Sequence, residues 1–272
     1  MSDLPKLTDR AALTRNRARA LRDPALFLLE TAAEEFQDRL SLVNKSFTAP
    51  VVVTGFPDFW AGVFPGARIV ADDDILDLEP EAHDLVIHAL SMHWASDPVG
   101  QLIQSRRALK PDGLFIAALF GGQTLHELRA ALAEAESRLT GGLSPRVAPM
   151  AEIRDLGGLL QRAGFALPVA DSLPLNVSYQ TPLHLMRDLR AMGEGNALDA
   201  RLRRPTRPGV IHAAADIYTE SFGADGRIPA TFEMIFLLGW APDESQPKPL
   251  RPGSAAARLA DALGSKEIKL PD

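Results

Sequence analysis

The chain contains no cysteine, which excludes disulfides, thiolate metal sites and a cysteine nucleophile, and fits a reducing cytoplasm. It has no long hydrophobic run. The longest apolar stretches are strand length, so no membrane-spanning segment is expected. The N-terminus lacks a charged start followed by an apolar core, so no signal peptide is expected. There is no basic excess: 29 Lys and Arg stand against 35 Asp and Glu, and a net charge of −6 argues against a nucleic-acid partner. The six histidines show no metal-ligand spacing, and no carboxylate is placed beside His88 and His93. Ser91 lacks the G-x-S-x-G elbow of serine hydrolases. No segment repeats. What remains is an ordinary globular composition, 46% hydrophobic and 24% charged, in 272 residues: one large domain or two small ones with ample core.

The clearest stretch is His83–Gly122. Asp84–Leu90 is a short apolar run, as in a strand covered on both faces. Ser96 or Asp97 caps the next helix, with Pro98 at its first position, where a missing N–H costs nothing. Val99, Leu102, Ile103 and Leu109 recur at helical spacing, with Gln101, Gln104, Arg106 and Arg107 mostly off that face. Pro111-Asp112-Gly113 reads as the turn that ends the helix, and Leu114–Phe120 as a second buried strand. Strand, helix and strand in about forty residues predict a βαβ unit with parallel strands and a right-handed crossover.

The remainder is arranged around this unit. Residues 1–24 are polar and rich in arginine: Arg10, Arg15, Arg17, Arg19 and Arg22 form either a docking arm or, as the plainer reading of a charge run, a solvated helix face. Ala25–Leu42 has a helical apolar face, Val51–Val53 is a buried strand ending at Thr54-Gly55, and Arg68–Ala71 is a second strand. Helices are expected over 124–139 and 150–163, the latter closed by Gly164, then a strand over 167–179 and helices over 183–192 and 210–222. Thr231–Trp240 suits a final strand, antiparallel at or near a sheet edge. Past Pro242 a surface tail is expected, helical around Ala255–Leu263. The fold class is thus α/β, a doubly wound, mostly parallel sheet with ligand chemistry at the carboxyl ends of its strands. The expected divisions are an N-terminal helical arm (1–45), the α/β domain (46–180 and 229–242), an inserted helical lid (181–228) and the tail (243–272).

HDLVIHALSMHW, RRALKPDGLFIAALFGGQTLHELR, GGLSPRVAP, RDLGGLLQRAGF, MRDLRAMGEGNA, PATFEMIFLLGWAP and ESQPKPLRPGSA together resemble class I S-adenosylmethionine-dependent methyltransferases. Within them the resemblance is to the branch of the biotin-synthesis malonyl-carrier O-methyltransferase and the assembly factor 5 of respiratory complex I. The resemblance implies S-adenosylmethionine as cofactor, held by Thr54 and Gly55 after the first strand, by Asp72 and Asp73, and by His88, Ala89 and Leu90 at the end of the strand in the clearest stretch. Asp72 matches the acid that meets the adenine amino group; if Ile69–Ala71 is the second strand, it serves instead as the ribose acid. The substrate side implied is His93 and Trp94, with Tyr179 and Arg187 from the lid. No catalytic residue is singled out, because a carboxylate nucleophile needs no base and methyl transfer depends mainly on alignment.

The sequence departs from that pattern in two places. The family's D-x-G-x-G loop reads Val53-Thr54-Gly55-Phe56-Pro57-Asp58, with one glycine left and bulk beside it. About thirty residues separate Val53 from Asp84, where two crossover units need about sixty, so the first half of the sheet is shortened by one strand and helix. Two readings follow. One is an S-adenosylmethionine enzyme acting on a protein or carrier-bound substrate, by methyl transfer or by the arginine hydroxylation that the resemblance implies, in complex I assembly. The other is a cofactor-free methyltransferase fold kept as a binding or assembly module.

Overall fold

A computed structural model describes residues 6–247, and the expected tail helix around Ala255–Leu263 lies outside them. Met1–Pro242 groups into one compact unit; Asp243 begins a second, where Ser245 and Gln246 fold back on Asp243 in a turn. Six strands form one sheet: β1 (Pro50–Thr54), β2 (Arg68–Ala71), β3 (His83–Ala89), β4 (Leu109–Phe120), β5 (Ala166–Tyr179) and β6 (Ile228–Trp240). Their spatial order is β2-β1-β3-β4-β6-β5. The pairs β2/β1, β1/β3 and β3/β4 are parallel, and β6 runs antiparallel to both β4 and β5. β6 therefore lies one strand in from the edge, and β5 is the edge.

The apolar runs of β1, β3 and β4 are continuous because both sheet faces are covered. Alternate residues go to opposite layers, as the two-residue period of a strand requires. Val52, Leu85, Ile87, Ile116 and Ala118 join one core cluster, with Phe36 of α2 (Phe27–Ser41), Trp60 of α3 (Pro57–Val63), Ala131 of α5 (His126–Thr140) and Tyr218 of α8 (Pro208–Phe222). Val51, Val86, Phe115 and Ala117 join the other, with Leu102 of α4 (Pro98–Ala108) and Leu160 of α6 (Ile153–Arg162). The fold is the doubly wound α/β class expected. The helices α7 (Pro182–Ala191) and α8, expected as a lid, place Leu185, Leu189, Val210 and Ala214 in the first of these clusters.

Three local expectations are corrected. Pro111-Asp112-Gly113 is not a turn between helix and strand but an insertion inside β4. Leu109 already pairs with His83, and the next pair is Leu114 with Leu85, so the extra residues bulge out, with Asp112 at φ +58°. The buried face of α4 is Gln101, Leu102, Ser105 and Ala108, while Ile103 is exposed. Asp97 caps that helix, accepting from the Gly100 N–H at 2.8 Å. Third, the arginine-rich arm is not simply a solvated face. It forms α1 (Arg10–Ala20), capped by Asp9, and Arg17 on it is buried.

Candidate functional site: a filled strand-end cleft beside an apolar cavity

The carboxyl ends of β1, β2, β3 and β4 bring Thr54-Gly55, Asp72, Ala89-Leu90 and Phe120 to one side of the sheet. In doubly wound folds the ligand crevice lies there. In this chain α1 contributes to it. Arg10 and Arg17 are two helical turns apart, so one face carries both. Arg17 forms a bidentate pair with Asp72, Nη1 to Oδ1 at 2.8 Å and Nη2 to Oδ2 at 3.0 Å. Arg10 adds a bond to Asp72 at 3.1 Å and one to the exposed Asp73 at 3.2 Å. Burial pushes the Asp72 carboxyl up, but the charges and hydrogen bonds of Arg17 and Arg10 outweigh it and hold the group at about 2.

Glycine makes room for this arginine. A Cβ on Gly55 would fall within the Arg17 guanidinium, so the space over the β1 loop belongs to that side chain. Gly193, at φ +79°, lies against the Arg17 stem and the Phe56 ring; a Cβ there would crowd both, at 3.1 Å and 3.0 Å. The guanidinium also sits 5.8 Å from the Phe56 ring centroid, within cation–π range. Phe56 is itself buried, and its N–H donates to Thr54 Oγ1 at 3.1 Å before Pro57 opens α3. The space left between Phe56, Leu90, Phe120, Met192 and Glu194 is a void of about 20 Å³.

His88 is fully buried and engaged on both nitrogens. Nε2 meets Gln101 Oε1 at 2.9 Å, Gln101 Nε2 donates to the Asp73 carbonyl at 3.0 Å, and Ser91 Oγ lies 3.3 Å from Nδ1. Desolvation lowers the His88 pKa to about 4, so the ring is neutral near pH 7. Gln101 thus links β3 to the β2 end, a role its place off the expected apolar face concealed. Leu90 adopts φ +46°, unusual for a branched side chain, and its N–H donates to Ala118 O at 3.0 Å.

A second space lies beside this cleft, a cavity of about 180 Å³ whose walls include Phe120, Leu128, Val147, Met186, Leu189 and Phe232. His93 and Trp94, in a 3-10 turn over Met92–Trp94, line it with Glu194, Arg146 and Arg190. Glu194 Oε2 accepts from Trp94 Nε1 at 2.7 Å and lies 3.1 Å from His93 Nε2. Burial pushes the Glu194 carboxyl up; His93, Arg17 and Trp94 outweigh it and hold it below its ordinary value. Arg146 is paired with Glu136, at 2.7 Å and 3.0 Å. Tyr179 and Arg187, expected on the substrate side, do not line the cavity; Tyr179 closes β5 and Arg187 is exposed. Glu194 and Arg17 were not singled out as site residues. The MGEGNA segment contains Glu194, but nothing local marks that glutamate as half-buried in a cavity wall.

Among the described residues no cluster of three His, Asp or Glu side chains could hold a metal ion, and no helix is long and apolar enough to cross a membrane.

No protein-family profile matches the chain. It is 43% identical over 198 residues to the arginine-hydroxylase NDUFAF5, mitochondrial, of Danio rerio, covering 72% of this chain and 61% of that one. To the human protein of the same name it is 38% identical over 233 residues, covering 84% and 66%. The malonyl-[acyl-carrier protein] O-methyltransferase of a Methylovorus strain is 34% identical over 174 residues, covering 64% and 56%. The chain thus spans about two thirds or less of these relatives. A candidate methyltransferase of Bacillus halodurans shares the fold at TM-score 0.50 and 14% identity, covering 77% of this chain and 98% of its own. With the sheet order and strand-end cleft, these matches make the chain a member of the class I S-adenosylmethionine-dependent methyltransferase superfamily. Within it, the chain belongs to the branch that holds the NDUFAF5 arginine hydroxylases and the malonyl-carrier methyltransferases.

Against that background the cleft does not fit the cofactor of the superfamily. The place over Gly55 is filled by Arg17, and the Asp72 carboxylate is taken by two arginines. β2 is hydrogen-bonded directly to β1, so Asp72 stands at the end of the strand next to β1, the arrangement on which the ribose alternative depended.

Proposed function

We propose that this chain is a methyltransferase fold working without the cofactor, as a binding module for a protein partner in respiratory complex I assembly. The observation that carries this is Arg17, whose guanidinium fills the space over Gly55 and takes both oxygens of Asp72. A bidentate, buried arginine is a preorganised occupant that an incoming ligand would have to displace along with two ion pairs. Thr54, Gly55, Asp72, His88, Ala89 and Leu90 then serve as scaffold. Binding falls to the cavity of His93, Trp94 and Glu194, which is open to a side chain. The relatives support a protein-borne target: one kind is named for arginine and the other for an acyl-carrier protein. The proposed compartment is the cytoplasm, on the absent cysteine alone; the arginine-hydroxylase relatives are mitochondrial by name.

The test is calorimetric titration of the intact protein with S-adenosylmethionine and S-adenosylhomocysteine. No saturable heat is expected up to millimolar ligand. A dissociation constant in the micromolar range, weakened tenfold or more by Asp72→Ala in a variant that still unfolds cooperatively, would sink the proposal and restore the enzyme reading.

A further inference from the structure

The walls of the 180 Å³ cavity are mostly apolar, and their charged groups are answered locally with one exception. Arg146 is held by Glu136 through Nε and Nη2, and its Nη1 donates to Thr206 Oγ1 at 2.9 Å. Glu194 accepts from Trp94 Nε1 and lies within the field of Arg17. Arg190, in the last turn of α7, is exposed, and its guanidinium has no hydrogen bond or ion pair among the described residues. Arg190, Gly195 and Asn196 also line a second, polar hollow of about 410 Å³, together with Asn16, Arg19 and Asp23. The apolar cavity and this hollow thus share part of a wall, and in the hollow two arginines stand against one carboxylate. A space of 180 Å³ is little larger than a cavity of about 150 Å³ that holds a benzene ring, so it takes one large apolar side chain. The group that complements Arg190 must then sit at the edge of the same space. The last residue of a chain carries both on one Cα: an apolar side chain, and a carboxylate that an arginine can grip through two N–H donors. A chain end also needs one way out, and the hollow supplies it. An internal apolar residue needs two and brings no charge of its own to Arg190.

We propose that the cavity and hollow bind the C-terminus of a partner chain that ends in a large apolar residue. The last side chain enters between Phe120, Leu189 and Phe232, the terminal carboxylate pairs with Arg190, and the preceding residues leave over Gly195 and Asn196. This deepens the preceding proposal and rests on its reading of the protein as a binding module. No covalent step is involved.

The experiment titrates the full chain by calorimetry at low salt, where an exposed arginine is least screened. The probes are N-acetyl-trialanyl-phenylalanine, the same peptide as its C-terminal amide, N-acetyl-tetraalanine and 3-phenylpropanoate. The phenylalanine acid is expected to bind about fivefold or more tighter than its amide, the range of one arginine–carboxylate pair, and tighter than tetraalanine, which keeps the charge and lacks the anchor. Arg190→Gln changes an exposed side chain, so the fold is expected to persist; it should bring acid and amide to equal affinity and leave the amide as it was. Equal binding of acid and amide by the wild type, no binding of the acid at millimolar concentration, tetraalanine as tight as the phenylalanine peptide, or a preference for the acid that survives in Arg190→Gln overturns the inference. 3-Phenylpropanoate as tight as the peptide assigns the site to a free small carboxylate and overturns the chain-end reading. None of these titrations contains S-adenosylmethionine, so the two proposals fail separately.

Discussion

Asp72→Ala is expected to lower the free energy of unfolding by about 3–5 kcal/mol, the cost of removing one partner from a buried ion pair. The carboxylate compensates two guanidinium groups, and the Arg17 side chain is only 9% exposed. Without Asp72, the Arg17 charge stays enclosed by Gly55, Phe56 and Gly193, with the Glu194 carboxylate still acting on it. The same pair makes stability depend on pH. The Asp72 pKa is about 2 in the folded chain against an ordinary 3.8, so the group is depressed on folding. Its contribution is therefore fully present above about pH 5, and it is lost as pH falls through 4 toward 2. The difference corresponds to about 2 kcal/mol. Urea unfolding at pH 7 and pH 3, for wild type and Asp72→Asn, isolates this from other carboxylates, because the asparagine variant lacks only the Asp72 contribution. A loss below about 1 kcal/mol at pH 7 in the alanine variant would show that Arg17 reaches solvent and that the cleft is not sealed.

Trp60→Ala is expected to cost a similar amount, about 3–5 kcal/mol, for a different reason: it leaves a large cavity in a dense core. Trp60 is 0% exposed, and its ring lies 5.6 Å from Phe36, 5.2 Å from Phe59 and 6.1 Å from Phe64, the last stacked. It anchors α3, the short helix that starts directly after Gly55 and Phe56, so its loss also loosens the loop on which Arg17 rests. Trp60→Phe keeps most of the apolar volume and is expected to cost clearly less than the alanine variant. The indole N–H has no hydrogen-bond partner among the described residues, so no polar contact is lost with it. Chemical denaturation monitored by far-ultraviolet dichroism reads both variants. Equal losses for alanine and phenylalanine would show that the tryptophan is needed for its indole and not for filling space.

How far the sequence was legible follows from the range of each interaction. β1, β3 and the second half of β4 were readable because burial on both faces leaves a continuous apolar run. Asp97-Pro98 and Gly164 marked helix ends because a cap is set by one or two residues next to the end itself. Pro111-Asp112-Gly113 misled because the same residues that favour a turn also suit a bulge, and the backbone pairing of Leu109 with His83 decides between them. Gln101 misled because a polar residue on a helix reads as exposed until a buried histidine is placed opposite it.

The cleft shows the same division. The sequence by itself determined the fold class, the shortened first half of the sheet and the loss of glycines after β1, since each is a matter of local pattern or chain length. It did not determine that an arginine fills the gap. Arg17 and Asp72 are 55 residues apart, and a run of arginines on a helix has the same composition whether it faces water or turns inward. Only the tertiary structure chose the inward face for Arg17. It did so because Gly55 and Gly193 leave room for the side chain, and because Asp72 at the end of β2 supplies the charge that makes burying a guanidinium tolerable.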